Sequence, residues 1–329
     1  MNYNFCTLFD KNYLYYGLTL HSSLIKHCPN FVLWILCMDD VSYEVLEKMN
    51  LKNVKLLRLK DIEDYRLLEA KKNRSVGEYC WTLSSNLTYF LLKNNSEIEH
   101  MTYIDSDIFF YSSPESIFAE MGDNSILIIK HNYTRGREYL EKLSGIYNVA
   151  FVVFKNNQEG LECLEKWADD CLDWCYNKYE DGKFGDQKYL DYWPNKFKGV
   201  HVLRNKGANL APWNLGNYKI ITKNDDIYID EDKLIFYHFH TFKAINENYF
   251  QLCSSAYKIS TQIKKLVYSP YMEEFKKSIL VVKENFDGFN FGFFKKESLR
   301  VIFFNRLKKV FLLIRRLKNK LYGRKKYCG

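Results

Sequence analysis

Hydrophobic positions in the first two thirds of the chain form short apolar runs that alternate with helical patterns. Strand-length runs cover residues 3–9, 31–38, 54–57, 101–104, 125–130 and 149–154, and helical patterns cover about 13–26, 43–49, 78–93 and 157–179. This alternation is typical of βαβ units, in which helices cover both faces of a mostly parallel sheet. It predicts one α/β catalytic domain over residues 1–250, followed by a helical extension over 251–294.

Two carboxylates follow the apolar run that ends at Ile104. Asp105 and Asp107 are two residues apart, and residues with this spacing on a strand point the same way. Mg²⁺ and Mn²⁺ favour oxygen ligands and keep positions open for substrate phosphates, and ligands usually bind at strand ends in open α/β sheets. The pattern predicts a metal site at this pair, whereas the similar spacing in residues 230–232 is interpreted as a polar turn.

Two later segments carry further candidate groups. His238 and His240 end a strand-like run, alternation places both on one face, and a neutral imidazole is a suitable third ligand for Mn²⁺. The alternative is a histidine that is simply hydrogen-bonded at a strand end. Asp186 and Gln187 follow a polar loop, where they can bind sugar hydroxyls or stabilise charge at a reacting carbon, although Asp186 can equally be a helix N-cap.

An aromatic ring flanked by amides forms the third candidate element. Asn209, Trp213 and Asn214 offer stacking and hydrogen bonds to a sugar or an acceptor, and Trp213 can equally belong to the core. A nucleotide would have to be held by side chains and a metal, because the turn after the first strand, residues 10–13, lacks a G-x-G-x-x-G or Walker sequence.

The net charge of +8 belongs to the end of the chain. Residues 295–329 contain 13 Lys or Arg and one acid, a net charge of +12, so the preceding 294 residues carry 35 basic and 39 acidic residues, a net charge of −4. Apolar residues in this tail recur at spacings of four and three, as on one face of a helix: Phe303, Leu307, Val310, Ile314, Leu317 and Leu321. We expect a basic amphipathic helix on an anionic membrane, with a partner helix or an RNA-binding tail as alternatives.

Cysteine usage and hydropathy bear on the compartment. The nine cysteines include no C-x-x-C pair and are expected to be reduced and mostly buried. Cys171 and Cys175 are one helical turn apart, but no neighbouring His or Cys cluster supports a zinc site. Without a signal-peptide pattern or an apolar run of about 18 residues, the expected location is the cytoplasm, peripheral on the inner face of the cell membrane. Composition is otherwise ordinary for a globular protein, apart from 17% aromatic residues, which favour a stacking cleft or reflect AT-rich coding.

In the order of these motifs, residues 1–250 resemble metal-dependent glycosyltransferases of the GT-A fold, most nearly the retaining group that includes glycogenin and bacterial lipopolysaccharide galactosyl- and glucosyltransferases. The resemblance implies that Asp105 and Asp107 bind Mn²⁺ and the diphosphate of a nucleotide sugar. The family's H-F-x-G-x-x-K-P-W segment, which supplies a third metal ligand and a phosphate-binding Lys, resembles residues 238–243. Here the Gly and the Pro-Trp are absent and Lys243 comes one residue early.

Other family segments imply donor contacts elsewhere in the chain. The D-Q pair resembles Asp186 and Gln187, which would line the sugar. Arg74 and Glu78 resemble, more weakly, a basic residue and helix start near the donor. The opening strand through Tyr13 would contact the nucleobase, and the N-x-G segment resembles residues 147–151. The implied donor-binding residues are Thr7, Phe9, Tyr13, Arg74, Asp105, Ser106, Asp107, Asn148 and Lys243.

The predicted activity is therefore transfer of a sugar from a nucleotide-diphosphate sugar, such as a UDP-sugar, to a glycan or lipid-linked acceptor. Mn²⁺ or Mg²⁺ would assist, a retaining mechanism is expected, and no nucleic acid partner is indicated. One alternative is a phosphatase of the haloacid-dehalogenase type, which also uses Asp-x-Asp but places it after the first strand, with Thr or Val where this chain has Phe109. Another is a non-catalytic membrane adaptor. A nucleotidyltransferase shares the fold, but its Gly-rich loop is missing here.

Overall fold

The computed structural model describes residues 2–295, in which strands and helices alternate as the sequence predicts. The strands are β1 (Tyr3–Phe9), β2 (Phe31–Cys37), β3 (Val54–Arg58), β4 (His100–Ile104), β5 (Ile108–Phe110), β6 (Ile126–Lys130), β7 (Tyr147–Lys155), β8 (Val200–Val202), β9 (Ile220–Lys223), β10 (Asp226–Ile229), β11 (Asp232–Lys233), β12 (Phe236–His238), β13 (Lys243–Ala244) and β14 (Phe250–Gln251). The helices are α1 (Leu14–His27), α2 (Asp40–Met49), α3 (Leu59–Ile62), α4 (Tyr65–Lys72), α5 (Val76–Asn94), α6 (Glu115–Met121), α7 (Tyr139–Ser144), α8 (Gln158–Asp173), α9 (Trp193–Lys196), α10 (Thr261–Ile263) and α11 (Ser269–Asn285). Short 3₁₀ helices cover Lys11–Tyr13, Lys188–Tyr192 and Leu215–Asn217.

The central sheet is mostly parallel, with the strand order β3-β2-β1-β4-β7-β6-β8. Strands β3, β2, β1 and β4 run parallel to one another, β8 runs parallel to β6, and β7 is antiparallel to both of its neighbours. Every residue of β1 is buried, as expected for a strand covered on both faces. The architecture is the GT-A-like α/β fold that the sequence predicts.

Each face of the sheet carries its own hydrophobic layer. On one face α1 and α11 bury an aromatic group in which the rings of Tyr16 and Phe275 lie 4.9 Å apart. On the other face α5 and α8 cover β7, and the ring of Trp167 stacks on Phe154 at 5.9 Å. Helix α11 thus shares a core with α1, while the division of the chain at residue 250 remains a prediction.

One predicted helix is too long. The apolar spacing predicts a helix over 157–179, but α8 ends at Asp173 and Trp174 adopts an extended backbone. The Trp174 carbonyl accepts a hydrogen bond from the Tyr189 hydroxyl at 2.6 Å. Residues 174–184 therefore form a loop that leads to Asp186.

Several expectations concern the cysteines and the end of the chain. All eight described cysteines are free thiols, and within residues 2–295 no third ligand joins Cys171 and Cys175. The same residues include no helix with the length and apolarity needed to cross a bilayer. The predicted basic amphipathic helix lies outside the described residues, apart from Lys295.

The Asp230 turn is confirmed: its backbone is left-handed, with a φ of 55°, and connects β10 to β11.

Candidate metal and donor site

The two predicted metal-binding carboxylates lie where the chain leaves the central sheet. The amide of Asp105, directly after β4, donates to the Ala150 carbonyl in β7 at 3.1 Å. The chain then turns, and β5 pairs with β12 instead of with the main sheet. In this second pairing His238 stands opposite Ile108, next to Asp107. The two pairings together bring both carboxylates to one imidazole.

Asp105, Asp107 and His238 form a compact cluster. The Nε2 atom of His238 lies 3.1 Å from Asp107 Oδ1 and 3.8 Å from Asp105 Oδ2, and one potential ligand atom from each residue falls within 4.8 Å of the others. The backbone fixes this arrangement, because the Phe239 amide donates to the Asp107 carbonyl at 2.8 Å. Two carboxylates and one imidazole are a donor set that suits Mn²⁺ and also accepts Mg²⁺.

The two carboxylates differ in proton affinity. Burial raises the pKa of Asp105 to about 6, the charge of Asp107 adds to this, and His238 opposes it. Burial also disfavours the charged form of Asp107, but the charge and the hydrogen bond of His238 outweigh it and lower the pKa of Asp107. The pKa of His238 is raised, because Asp107 and Asp105 overcome the effect of its burial. Asp107 is therefore the ionised partner of His238.

His240 lies beside the cluster and outside it. Its ring centroid is 5.7 Å from that of His238 and 5.3 Å from that of Trp213. His240 does not belong to the cluster of ligand atoms that Asp105, Asp107 and His238 form. Burial and the charge of His238 lower the pKa of His240 to about 4, so this imidazole is neutral. Of the two candidate histidines, the structure brings His238 to the carboxylates.

The predicted sugar- or acceptor-binding segment packs behind His238. The Trp213 ring is nearly perpendicular to the His238 ring at 5.2 Å, and its indole N–H donates to the His131 carbonyl at 2.8 Å. The Asn214 amide donates to the carbonyls of His131 and Asn209 and accepts from the Ala211 amide. These groups already have partners within the chain, whereas the buried Oδ1 of Asn209 has none among residues 2–295.

Asp186 is buried and tied to α5. Its Oδ2 accepts a hydrogen bond from Ser84 Oγ at 2.8 Å, and its carbonyl accepts one from the Trp167 indole. Burial raises the pKa of Asp186 to about 7; the Ser84 bond opposes this and the charge of Asp105 adds to it. The following 3₁₀ helix has Gln187 rather than Asp186 as its N-cap, and the Gln187 amide donates to the Ser144 carbonyl.

The predicted nucleobase-contacting residues lie at and after the end of β1. Thr7 and Phe9 are buried, and the hydroxyl of Thr7 has no hydrogen-bond partner among the described residues. Tyr13 ends a 3₁₀ turn that the Asp10 carboxylate caps. Burial raises the pKa of Tyr13, and the nearby charges of Asp107, Asp10 and Asp105 raise it further. Tyr13 is 40% exposed and stands at the end of the turn that follows β1.

The remaining predicted donor residues are more scattered. Ser106 is buried between the two carboxylates. The Asn148 side chain accepts from the Ala150 amide and lies 3.2 Å from His131 Nε2, and Lys243 opens β13, shortly after His238. Arg74 stacks over Tyr176 at 3.9 Å and donates to the Leu172 carbonyl and to the Asn73 side chain, so its described contacts are with α8, the loop after α8 and its own neighbour.

Glu78 also contacts the loop after α8. Three further residues near the site are not predicted from the sequence. Glu78 accepts from the Asn177 amide in the loop after α8. The missed residues are Ser84, His131 and Tyr103, whose hydroxyl donates to Asp105 Oδ1 at 3.1 Å. Tyr103 precedes Asp105 by two residues, so the alternation that pairs the carboxylates could also have found it. Ser84 has no such signal, because its contact with Asp186 depends on tertiary packing.

Two proteins of Bacillus subtilis (strain 168) are similar to this chain over most of its length. The chain is 36% identical to the uncharacterized protein YfnD over 301 residues, which cover 90% of this chain and 96% of YfnD. It is also 36% identical to the uncharacterized protein YfnF over 251 residues, 74% of this chain and 83% of YfnF. The chain belongs to the YfnD family. No protein-family profile matches it.

Solved structures with a similar chain course include two transferases. The galactosyltransferase LgtC, in complex with donor and acceptor sugar analogs, is 14% identical to this YfnD-family chain, with a TM-score of 0.41 over 64% of this chain and 76% of LgtC. Mouse xyloside xylosyltransferase 1 is 14% identical, with a TM-score of 0.44 over 72% of this chain and 97% of that chain. Values this low carry no conclusion about activity, which depends on the residues of the site.

Proposed function

We propose that this protein is a metal-dependent glycosyltransferase that uses a nucleotide-diphosphate sugar, specifically a UDP-sugar. The observation that carries the proposal is the cluster of Asp105, Asp107 and His238, whose ligand atoms lie within 4.8 Å of one another at a strand end of an α/β sheet. Three protein ligands leave coordination positions for a diphosphate. Strand ends are also where α/β proteins bind nucleotides.

The cluster residues would hold Mn²⁺ or Mg²⁺ together with the donor. When bound, such an ion supplies charge neutralisation for the departing diphosphate. Lys243, which comes shortly after His238, would add a positive charge on the phosphate side, and its ammonium has no hydrogen-bond or ion-pair partner among residues 2–295. Tyr13, which is exposed at the end of the turn after β1, would contact the nucleoside.

Asp186 is the proposed contact with the transferred sugar. It is 6% exposed, is held by Ser84 and lies close enough to Asp105 to respond to its charge. A carboxyl group fixed in this way can accept a sugar hydroxyl or stabilise positive charge at the anomeric carbon. We assign Asp186 and Gln187 to the wall of the sugar-binding site. We also propose a retaining reaction, because the described residues of the cluster offer no carboxylate besides the metal ligands and Asp186 that is placed to act as a base.

The proposed acceptor is a glycan or a lipid-linked sugar at the inner face of the cell membrane. The support comes from the sequence: residues 295–329 carry a net charge of +12 and an apolar seam, a combination that binds anionic lipid. Full-length protein should sediment with vesicles containing phosphatidylglycerol, and a variant that ends at residue 294 should remain in the supernatant. Equal sedimentation of the two proteins would refute the membrane assignment.

A nucleotide-sugar screen tests the activity. Thermal unfolding is measured with each UDP-, GDP- and ADP-sugar, with and without Mn²⁺, and the best ligand is then tested for Mn²⁺-dependent release of UDP. We expect stabilisation by a UDP-sugar only with the metal, and its loss in Asp107→Asn. The matched control is Asp232→Asn, since Asp232 belongs to the other Asp-x-Asp and, within the described part of the chain, its carboxylate accepts only a backbone bond from Lys206.

The same assay separates the alternative functions. A phosphatase would release inorganic phosphate from an aryl phosphate and would leave the sugar nucleotide intact. A non-catalytic adaptor would release no UDP from any donor, even with Mn²⁺ present. Either result would refute the glycosyltransferase proposal.

A further inference from the structure

Residues 286–294, which follow α11, form an aromatic segment that we call the C-terminal strap. Phe289 and Phe293 each pack against the Tyr15 ring at 5.8 Å, and Lys11 lies over the Phe291 ring at 4.7 Å. The strap therefore crosses the N-terminal end of α1 and the 3₁₀ turn that precedes it. This is the turn on which Tyr13 stands.

The end of the strap contacts the turn that carries Tyr13 and the segment that follows Phe239, whose amide bonds the Asp107 carbonyl. The ring of Phe294 meets the Tyr13 ring edge-on at 5.7 Å, and its backbone amide donates to the Ala244 carbonyl at 2.8 Å. Ala244 directly follows Lys243. One residue of the strap thus joins the turn after β1 to the segment after His238.

A second set of contacts closes the same arrangement from the side of α1. The Tyr16 ring stacks on Tyr13 at 4.6 Å, and the Tyr16 hydroxyl donates to the Phe242 carbonyl at 2.9 Å. Phe294 also approaches Tyr16, at 6.4 Å. Tyr13 is therefore held between Tyr16 and Phe294. The Phe242 amide in turn donates at 2.9 Å to the carbonyl of Phe239, whose own amide bonds the Asp107 carbonyl.

We propose that the C-terminal strap is a positioning element of the donor site, in which Phe294 fixes Tyr13 and the Lys243–Ala244 segment for a nucleoside diphosphate. The inference rests on the proposed function, because it assigns the nucleotide to this cluster. Phe294 acts through Tyr13 and Lys243, so its loss weakens nucleotide binding and leaves the metal ligands in place. Pre-arranged contacts raise affinity because less conformational freedom is lost on binding.

Two glycines of the strap provide a matched pair of variants. Gly288 and Gly292 both have a left-handed backbone, with φ values of 78° and 84°, so alanine strains the backbone at either position. A Cβ at Gly288 would meet nothing within 4 Å, whereas a Cβ at Gly292 would lie 2.5 Å from the Tyr15 ring. Gly292→Ala therefore displaces the strap from α1, and Gly288→Ala adds the same kind of strain without displacing it.

The test is the dissociation constant of UDP in the presence of Mn²⁺, measured by calorimetry on full-length proteins beside their thermal midpoints. We expect Gly292→Ala and Phe294→Ala to weaken UDP binding roughly tenfold, Gly288→Ala to match the wild type, and Phe294→Tyr to restore binding. Mn²⁺ affinity without nucleotide should be unchanged throughout. In turnover, the KM for the donor should rise while kcat holds, a split that general destabilisation of the fold would not produce.

The outcomes distinguish this inference from the proposal on which it rests. If the wild type binds UDP with Mn²⁺ and both strap variants bind it equally well, the strap has no positioning role. If the wild type itself binds no UDP with Mn²⁺, the proposed UDP-sugar donor is refuted, and the inference fails with it. Should Gly292→Ala not fold, the comparison of Phe294→Ala with Phe294→Tyr decides alone.

Discussion

The imidazole of His238 lies 3.1 Å from the carboxylate of Asp107, although the two residues come from segments far apart in the chain. The pairing of β5 with β12 creates this contact, because it sets His238 opposite Ile108 and lets the Phe239 amide bond the Asp107 carbonyl. The candidate third ligand is thus placed by backbone hydrogen bonds.

The two neighbouring histidines should respond differently to substitution. We expect His238→Ala to weaken Mn²⁺ binding by at least about tenfold, because a ligand that faces both carboxylates is lost. His240→Ala should leave Mn²⁺ affinity within about threefold of the wild type, because its ring contacts Trp213 and lies outside the ligand cluster. Titration of Mn²⁺ by electron paramagnetic resonance measures both. The opposite ranking would move the third ligand to His240.

Much of the fold is predictable because its strands are buried on both faces. All seven residues of β1 and most of β2 are buried, and most of these residues are apolar, so their runs stand out in the sequence. The overextended helix shows the limit of this reasoning. Apolar residues continue at helical spacing through Trp174 and Cys175, but the bond from Tyr189 to the Trp174 carbonyl ends the helix at Asp173.

The site is predictable only where its residues lie close together in sequence. Strand alternation would align Asp105 with Asp107 and with Tyr103, although the structure places both aspartates after β4, in the turn that leads to β5. No local pattern separates His238 from His240, because both fit the same alternation. The pairing with β5 distinguishes them, and that pairing depends on the tertiary fold. The bond between Ser84 and Asp186 is equally non-local.

The raised pKa of Asp186 predicts that the stability of the folded protein depends on pH. In the unfolded chain its carboxyl ionises near an ordinary pKa of about 4, whereas burial raises the pKa to about 7 in the folded protein. Between these values the folded state binds more protons, so stability falls as pH rises. Asp186→Asn cannot ionise, and its thermal midpoint relative to the wild type should rise from about pH 5 to about pH 8. A flat or falling difference would contradict the raised pKa.

Glu120 provides the control with the opposite sign. Burial disfavours its charge, but His201 Nε2 at 2.8 Å and the backbone amides of Arg204 and Asn205 outweigh burial and lower the pKa of Glu120. Its stabilising contribution is therefore present above its unfolded pKa and is lost as pH falls. Glu120→Gln should lower the thermal midpoint near neutral pH and have less effect in acid.

Thr241 has a backbone conformation that favours glycine. It stands where the H-F-x-G motif of the resembling family has its Gly, and its φ is 62°, which is unusual for a β-branched residue. Its hydroxyl donates to the His240 carbonyl and accepts from the Ser254 amide. Thr241→Ala and Thr241→Gly both lose these bonds, so their difference isolates the Cβ. We expect the glycine variant to be more stable by about 1 kcal/mol in urea unfolding.

The same pair of substitutions in a strand should give the reverse order. Thr222 is exposed in β9, where the backbone is extended. There glycine gains nothing from its freedom and loses more conformational entropy on folding. Thr222→Gly should be less stable than Thr222→Ala by roughly 0.5–1 kcal/mol. If glycine were also the less stable residue at position 241, the left-handed backbone there would be contradicted.

Substitutions at Trp213 distinguish a structural role of this residue from a sugar-binding role. It is 3% exposed, its indole N–H is bonded to His131, and its ring supports His238 edge-on. Trp213→Phe keeps a ring and loses one hydrogen bond, so we expect a cost of about 1 kcal/mol in urea unfolding with Mn²⁺ affinity retained. Trp213→Ala should cost about 3–5 kcal/mol and weaken Mn²⁺ binding, since His238 loses its support. If Trp213→Phe instead preserved stability and raised the KM for the acceptor, Trp213 would be a sugar contact.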